Sequence, residues 1–392
     1  MNKCYFPQLL FLVIHFTAHA QFLENFEADE ASVSKEVTGW NWFTGDGEAT
    51  MTFIQEKGFA TIVVDGTNDQ RNIWWALVKK EVTDAIDVSL LSKPGYGLRI
   101  EARVRPHVAP RRINLYMHTN RPSNHDNHDN LMEFDLPVAN EWKVVSLTSA
   151  GMDVQPEDKI FAQLSLMDWG NDIYKIDIDY FKVDVVTMKE TSVDLGEPIP
   201  YWPPLADPAH FSHQLKVSDD AVVHLKYSEV NMNNWQDATN NENIITVNDL
   251  QWIIIKFDFS QFKGRNVADA GQLALFTYSV QKITTEIEEF NKIRITEIID
   301  GSDWQEETVT LQNLLNNQPI NQVINSQMIV DAEVSTQKGS PTLVTISRPV
   351  MQRLLDGTSK GIAITTLGGI NASFYSHETN EKMAAELRFN LK

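Results

Sequence analysis

The feature that most constrains the fold is a series of short segments in which apolar and polar residues alternate. In the first half they occupy residues 59–64, 72–79, 97–105, 111–118, 131–136, 142–147, 161–167 and 175–186. The second half repeats them at 221–227, 252–259, 272–280, 292–298, 343–347, 361–366 and 385–391. Segments rich in Ile, Val, Tyr, Phe and Trp that end in Gly, Pro, Asn or Asp are typical of β-strands. The sequence therefore predicts an all-β chain, with short helical turns only at 308–315 and 350–355.

A proline-dense segment divides the chain. Residues 196–208 contain five prolines, and proline interrupts both helices and sheet ladders. We therefore expect a semi-rigid linker over residues 187–208. It separates residues 21–186 from residues 209–392, and each part is long enough to bury its own core. The predicted architecture is two β-sandwich (jelly-roll) domains in tandem.

The first twenty residues are typical of a secretory signal peptide. Lys3 supplies a positive charge, residues 6–16 are apolar, and Ala18-His19-Ala20 fits a cleavage site. The apolar run is shorter than the ~20 residues that a membrane span needs. We therefore expect a monomeric protein without a membrane span, exported to the periplasm or the medium. Cleavage would also remove Cys4, the only cysteine, which excludes disulfides and thiol chemistry.

The charge of the chain is unevenly distributed. The formal charge is −20, which disfavours a nucleic-acid partner. Residues 99–121 nevertheless contain six arginines and one acid, a local charge of +5. The six are Arg99, Arg103, Arg105, Arg111, Arg112 and Arg121. A local positive charge attracts anionic ligands, and the planar guanidinium suits carboxylate and sulfate. The alternative is a sheet face whose arginines pair with the surplus Asp and Glu.

Strand alternation assigns these residues to faces, because side chains two positions apart share a face. In 111–118 the polar face carries Arg112, Asn114, Tyr116 and His118. In 97–105 the polar face carries Arg99, Glu101, Arg103 and Arg105. If the two strands are sheet neighbours, their polar faces form one cationic platform. The residues that could border it are Glu133, Asp135, Gln163 and Ser165.

The platform contains the residue types that elimination from a uronate requires. The reaction needs a group that neutralises the carboxylate, a base at the neighbouring carbon, and an acid for the departing oxygen. Arg112, with Asn114, could neutralise the carboxylate, and either Tyr116 or His118 could be base or acid. His125 could supply the other partner from a flanking loop. The other five arginines of residues 99–121, a segment we call the arginine island, would bind substrate together with His107 and His128.

Other sites are less clearly indicated. The sequence contains no Gly-rich phosphate loop, nucleophile elbow or zinc spacing, so it assigns no cofactor and no catalytic metal. A structural Ca²⁺ is compatible with the oxygen ligands of Glu27, Asp29 and Asp179. Exposed tryptophans could stack on sugar rings, and the candidates are Trp74, Trp75 and Trp169.

Several segments of the second half resemble the DNRLRE-type domain, a jelly roll appended to secreted polysaccharide lyases. These segments are Asp219-Asp220-Ala221, residues 255–260, residues 270–275, residues 304–310, and Phe374-Tyr375-Ser376-His377-Glu378. The first half, from Glu24-Asn25-Phe26-Glu27 to residues 176–183, is similar to jelly rolls of carbohydrate-binding modules and polysaccharide lyases. The two-part chain also resembles small secreted proteins of bacterial ulvan-utilisation systems, among which an oligosaccharide dehydratase is known.

Two functions follow from these observations as hypotheses. The first is an exported enzyme that acts on an acidic, ulvan-type oligosaccharide by elimination, as a dehydratase or a polysaccharide lyase. The second is a non-catalytic binding protein for acidic polysaccharide. The second hypothesis tolerates the loss of Tyr116 and His118, whereas the first does not.

Overall fold

The computed structural model describes residues 21–45, 47–69, 75–121, 125–167, 172–200, 204–234, 244–282, 290–379 and 382–392. It confirms the predicted all-β class. Among its described residues the first half contains one short α-helix, α1 (Val88–Leu91). Its strands are β1 (Gln21–Glu24), β2 (Asn41–Thr44), β3 (Thr50–Glu56), β4 (Phe59–Asp65), β5 (Trp75–Glu81), β6 (Tyr96–Pro106), β7 (Arg111–Arg121), β8 (His125–Leu136), β9 (Lys143–Ala150), β10 (Lys159–Met167), β11 (Ile173–Thr187) and β12 (Glu197–Ile199).

The second half continues the pattern. Its strands are β13 (His213–Lys216), β14 (Asp219–His224), β15 (Ile244–Val247), β16 (Gln251–Lys256), β17 (Gly271–Lys282), β18 (Lys292–Ile298), β19 (Ile324–Ala332), β20 (Pro341–Ile346), β21 (Gly361–Leu367), β22 (Ile370–Tyr375) and β23 (Glu386–Phe389). Its helices are α2 (Leu311–Leu315), α3 (Ile320–Val323) and α4 (Arg348–Asp356). In the described ranges no helix has the length and apolar character required to cross a membrane.

The first sandwich consists of two antiparallel six-stranded sheets. The β6 sheet has the order β3-β4-β11-β6-β9, with β1 also pairing with β11. The β7 sheet has the order β12-β8-β7-β10-β5-β2. Alternate residues of both sheets fill one shared core, in which Trp40 contacts the rings of Phe26, Phe53 and Phe181. Outward-facing residues of the β7 sheet are therefore left for contacts outside this core.

The second sandwich has its own core. One sheet has the order β13-β23-β17-β22-β15, with β20 pairing with β17, and the other has the order β14-β16-β21-β18-β19. Alternate residues of the second of these sheets also point outward, where α2, α3 and the chain before them cover Ala221, Val223 and Ile254. The second half is therefore a sandwich with one additionally covered face.

The proline-dense segment does not run as a free spacer where the structure describes it. Residues 197–199 form β12, which pairs with β8 at the edge of the β7 sheet. Pro198 is compatible with this position because an edge strand leaves one side of its backbone unpaired. Asp194 also binds the first sandwich, since it accepts hydrogen bonds from Arg99 and Thr148. The first sandwich thus extends through residue 199, beyond the predicted boundary at 186.

Candidate functional site

The two arginine-bearing strands lie in opposite sheets, so the predicted platform does not form. β6 pairs with β11 and β9, whereas β7 pairs with β8 and β10. The predicted faces themselves are confirmed, since Ile113, Leu115 and Met117 are in the core. The polar side chains of β6 and β7 consequently point to opposite outer surfaces of the sandwich. Alternation defines the faces of a strand and not its neighbours, which explains why the prediction was wrong.

Each of the six arginines is paired with a carboxylate. The pairs are Arg99 with Asp194 at 3.1 Å, Arg103 with Asp179 at 2.6 Å, Arg105 with Asp177 at 2.7 Å, Arg111 with Asp172, Arg112 with Glu133 at 3.2 Å, and Arg121 with Asp158 at 2.8 Å. The local charge of +5 along the chain is therefore compensated in space. An acidic ligand would have to displace a carboxylate of the protein, so the pairs favour a structural role over the predicted receptor.

On the outer face of the β6 sheet, Asp177 binds two of the residues that were predicted to bind substrate, Arg105 and His107. It accepts hydrogen bonds from Thr61 Oγ1 at 2.8 Å and Arg105 Nη2 at 2.7 Å, and His107 Nε2 lies 2.8 Å away. Burial alone would raise the pKa of Asp177. The hydrogen bonds from Thr61, His107 and Arg105 outweigh burial and lower the pKa below its usual value.

This lowered pKa gives a prediction about acid stability. A carboxylate whose pKa is lower in the folded chain stabilises the fold above its unfolded pKa of about 3.9. That stabilisation disappears as the pH falls through the folded pKa. We expect the free energy of unfolding to fall more steeply below about pH 4 in the wild type than in Asp177→Asn, measured by urea unfolding. Asp84→Asn, at an exposed position, serves as the control. Parallel curves for wild type and Asp177→Asn would contradict the assignment.

Arg111 lies at the contact between the two sandwiches. Its side chain is 1% exposed, its Nη2 donates to Asp172, and its Nη1 lies 3.5 Å from Asn325 Oδ1 of β19. Asn325 Nδ2 donates in return to the backbone oxygen of Pro110 at 3.2 Å. The hydroxyl of Ser326 donates to Asp172 as well. Arg111, predicted to bind substrate, thus joins the first sandwich to the second.

Arg112 has a similar position. Its Nη1 donates to Glu133 Oε2 at 3.2 Å and to the backbone oxygen of Ile329 in β19 at 3.3 Å. Burial raises the pKa of Glu133, although Arg112 opposes this shift. The adjacent Asn114 is 1% exposed. The pair predicted to neutralise a uronate is therefore buried near the second sandwich, out of reach of a ligand in solvent.

A third arginine, which the sequence did not indicate, completes this contact. Arg353 of α4 donates to Asp135 of β8 at 2.7 and 3.2 Å and to Glu297 of β18 at 2.9 Å from each of two nitrogens. Its side chain is 14% exposed, and both carboxylates are 3% exposed. These carboxylates raise the pKa of Arg353 above its ordinary value, even though burial opposes the shift. The cation therefore bridges two buried anions, one from each sandwich.

The remaining predicted histidines are not part of this contact. His125 and His128 lie in β8, and their side chains are outside the described residues. Their predicted roles stay predictions. His118 is 4% exposed and its ring is stacked between Tyr116, at 5.1 Å, and Phe161, at 5.0 Å. A ring that is 4% exposed and packed against two other rings is poorly placed to act as base or acid for a ligand in solvent.

The stack of rings crosses the outer face of the β7 sheet. Lys79 Nζ lies 4.3 Å from the centre of the Phe161 ring. Tyr116, Phe161 and Lys79 are half-buried and Asp129 is exposed, so this part of the face is accessible to solvent. Gln163 lies opposite Tyr116 in the neighbouring strand. The accessible part of the face thus combines aromatic, amide and charged groups.

A groove of about 510 Å³ lies at the β2 edge of this face. The residues that line it are Trp40, Asn41, Trp42, Phe43, Lys79 and Phe161. Phe43 is 45% exposed, and its ring meets that of Trp75 at 5.3 Å with an angle of 74° between the planes. Trp74 and Trp169, the other predicted stacking residues, lie outside the described residues.

Sequence reasoning overlooked Phe43, Lys79 and Phe161. A signal for two of them was present, because Lys79 and Phe161 occupy alternate positions of predicted strands and share a face once the register is known. Gln163 pairs directly with both Lys79 and Tyr116, which places all of these residues on adjacent strands. Phe43 lies in the four-residue strand β2, which is too short for alternation to reveal.

Two of the three ligands predicted for a structural Ca²⁺ have other partners. Asp179 pairs with Arg103, and Asp29 accepts hydrogen bonds from the amide and hydroxyl of Ser32. Within the described ranges, a single group of metal-type ligands converges, and it lies in the second sandwich. Its members are Asp220, Glu306, His377 and Glu378. Sequence reasoning did not single out these four residues as a group, because they come from three segments that are remote along the chain.

Comparison with known proteins gives structural similarities only. No protein-family model matches the sequence, and no curated protein matches it. The CBM22-1 xylan-binding domain of Paenibacillus barcinonensis Xyn10C is 12% identical, with a TM-score of 0.29 over 42% of this chain and 94% of that domain. A family 11 carbohydrate-binding module from Clostridium thermocellum, in complex with a β-1,3-1,4-mixed-linked tetrasaccharide, is 13% identical, with a TM-score of 0.28 over 43% and 97%.

A GH51 α-L-arabinofuranosidase in its arabinose-bound form is 11% identical, with a TM-score of 0.30. The similarity covers 45% of this chain and 28% of the arabinofuranosidase chain. Because these TM-scores are below 0.5, the similarities assign neither a ligand nor a reaction to this chain.

Proposed function

We propose that the chain is a non-catalytic carbohydrate-binding protein that holds an acidic oligosaccharide in the groove beside β2. The observation that carries this proposal is the exposed ring of Phe43 next to the polar groups of Asn41 and Lys79, in one groove of about 510 Å³. Following the expected signal peptide, binding would take place outside the cytoplasm.

The aromatic lining suits the apolar C–H face of a sugar ring. An aromatic side chain offers a large, flat surface with only two rotatable bonds, so little conformational entropy is lost on binding. The contact of Phe43 with Trp75 restrains the ring further. Ligand sites typically combine such apolar walls with a few fixed polar groups, which here are the Asn41 amide and the Lys79 ammonium.

The charge of Lys79 favours an acidic sugar. Its Nζ lies against the Phe161 ring, and both residues line the groove of a chain whose formal charge is −20. A cation in an acidic surrounding concentrates anionic ligands at one place. Uronates and sulfate esters are negatively charged, so we propose an ulvan-type fragment as the specific ligand.

The geometry favours binding over elimination. Elimination needs a cation that neutralises the uronate and an accessible base. Arg112 is paired with Glu133 near the second sandwich, and His118 is 4% exposed and packed against Tyr116 and Phe161. Dehydratase or lyase activity stays a prediction, and mass spectrometry of the fragments after incubation with the protein would detect any product it forms.

The test is isothermal titration of the full chain with fragments of ulvan, alginate and neutral xylan. We expect Phe43→Ala to weaken binding of every bound glycan by about tenfold, which is the loss typical of a central aromatic contact. Lys79→Gln should weaken binding of the acidic fragments selectively, since it removes the charge and keeps a polar group.

The matched control is Leu23→Ala, because Leu23 is 51% exposed and lies in β1 on the opposite sheet. This variant should bind as the wild type does. If no fragment binds the wild type, or if Phe43→Ala and Lys79→Gln bind unchanged, the groove is not the glycan site.

A further inference from the structure

Four ligand-type side chains from three separate segments meet at one end of the second sandwich. Asp220 is in β14, Glu306 is in the loop between β18 and α2, and His377 and Glu378 follow β22. His377 Nδ1 lies 3.5 Å from Asp220 Oδ2, 3.5 Å from Glu306 Oε2 and 3.6 Å from Glu378 Oε1. One ligand atom from each of the four residues lies within 4.8 Å of the others.

We propose that Asp220, Glu306, His377 and Glu378 bind one divalent transition-metal ion, for which Zn²⁺ is the best match. This site is separate from the proposed glycan groove, which lies in the first sandwich. Its role would be to join β14, the loop before α2 and the segment after β22.

The distances fit four-coordinate binding. Zn²⁺ bonds to nitrogen and oxygen are about 2.0–2.2 Å long, so adjacent ligand atoms of a tetrahedron lie about 3.3–3.6 Å apart. The three distances from His377 Nδ1 are 3.5, 3.5 and 3.6 Å. They exceed the ~2.7–2.9 Å of a strong charge-assisted hydrogen bond. An ion between these atoms would therefore need little rearrangement on the imidazole side.

An independent observation is that two ligand atoms are buried without a hydrogen bond. Asp220 is 1% exposed and its Oδ1 has no hydrogen-bond partner among the described residues. The side chain of His377 is 30% exposed, but its Nδ1 atom is buried and makes no hydrogen bond of good geometry, since the nearest carboxylate oxygens lie 3.5–3.6 Å away. Buried polar atoms are nearly always satisfied, so such atoms in one cluster point to a missing ligand. Three carboxylates beside one imidazole also leave an excess of negative charge, which a divalent cation would offset.

The ligand types select the ion. Ca²⁺ takes six to eight oxygen ligands, and an imidazole is a poor member of that set. Imidazole with carboxylates suits Zn²⁺ and related first-row ions. Hydrogen bonds around the cluster would orient the ligands, as outer contacts do in metal sites. The amide of His377 donates to Asp220 Oδ2 at 2.9 Å, and Asn231 Nδ2 donates to the backbone oxygen of Glu306 at 2.8 Å.

The test uses the full chain after chelator treatment, titrated with Zn²⁺ and, separately, with Ca²⁺. We expect one equivalent of Zn²⁺ per chain and a rise of about 5 °C or more in the melting temperature at saturation. His377→Ala and Glu306→Gln should each weaken Zn²⁺ binding at least about tenfold. His210→Ala is the matched control, because His210 pairs with Asp269 at 2.9 Å elsewhere in the same sandwich, and it should bind as the wild type does.

A second measurement does not depend on the folding of any variant. X-ray absorption by the Zn²⁺-loaded wild type should show one imidazole and about three oxygen neighbours near 2.0 Å. The proposal is overturned if the wild type binds no stoichiometric Zn²⁺, if Ca²⁺ binds more tightly than Zn²⁺, or if the absorption spectrum lacks an imidazole ligand.

Discussion

Replacing Arg353 by Ala should lower the free energy of unfolding by about 3–5 kcal/mol, the usual cost of breaking a buried ion pair from one side. Arg353 lies between Asp135 and Glu297, and both carboxylates are 3% exposed. Without the guanidinium, two buried anions face each other across the contact between the sandwiches. Urea unfolding followed by circular dichroism measures the effect.

The control for this prediction is Arg348→Ala in the same helix. Arg348 also pairs with the first sandwich, through Glu197, but the two side chains are 35% and 31% exposed. Solvent screening limits such pairs to about 1 kcal/mol or less. Equal losses of stability in Arg353→Ala and Arg348→Ala would show that burial of the bridge is not what makes Arg353 important.

Replacing Arg111 by Ala should be comparably destabilising, by about 3–5 kcal/mol, because Asp172 would then be left buried without its cation. Arg111 is 1% exposed and Asp172 is 4% exposed. If Arg111 were instead a ligand for an acidic glycan, its loss would weaken binding and leave stability intact. We expect the opposite result: a lower melting temperature and an unchanged glycan affinity below the transition.

Arg103→Ala is the matched control within the same arginine island. The side chain of Arg103 is 41% exposed and pairs with Asp179, so its loss should cost about 1 kcal/mol or less. If the Arg111→Ala protein is as stable as the wild type and binds glycan more weakly, the structural role is contradicted and the arginine island is a glycan-binding site.

Much of the local structure could be predicted from the sequence. The segments 97–105 and 111–118 correspond to β6 (Tyr96–Pro106) and β7 (Arg111–Arg121), and the core faces of both were assigned correctly. Alternation is a property of each strand and is visible in a single segment. Which strand lies beside which depends on the whole chain, and the condition on which the platform depended, that β6 and β7 are neighbours, is not met.

The role of the arginines could not be predicted for a related reason. Their partners are remote along the chain, as Arg111 and Asn325 or Asp135 and Arg353 show. A count of charges within residues 99–121 includes none of these carboxylates. It therefore overstates the net positive charge around the arginines in the folded protein. The groove was missed because it depends on β2, a short edge strand, meeting the alternate residues of β5 and β10.

The buried bridge formed by Asp135, Arg353 and Glu297 bears on how far the two halves of this chain are modular. If the chain were cut between the sandwiches, one fragment would keep Asp135 without its cation. The other fragment would keep the pair of Arg353 and Glu297, and both fragments would expose the surface of the former contact. We therefore expect the two sandwiches to unfold as one cooperative unit. An engineered fusion should carry both of them and not one alone.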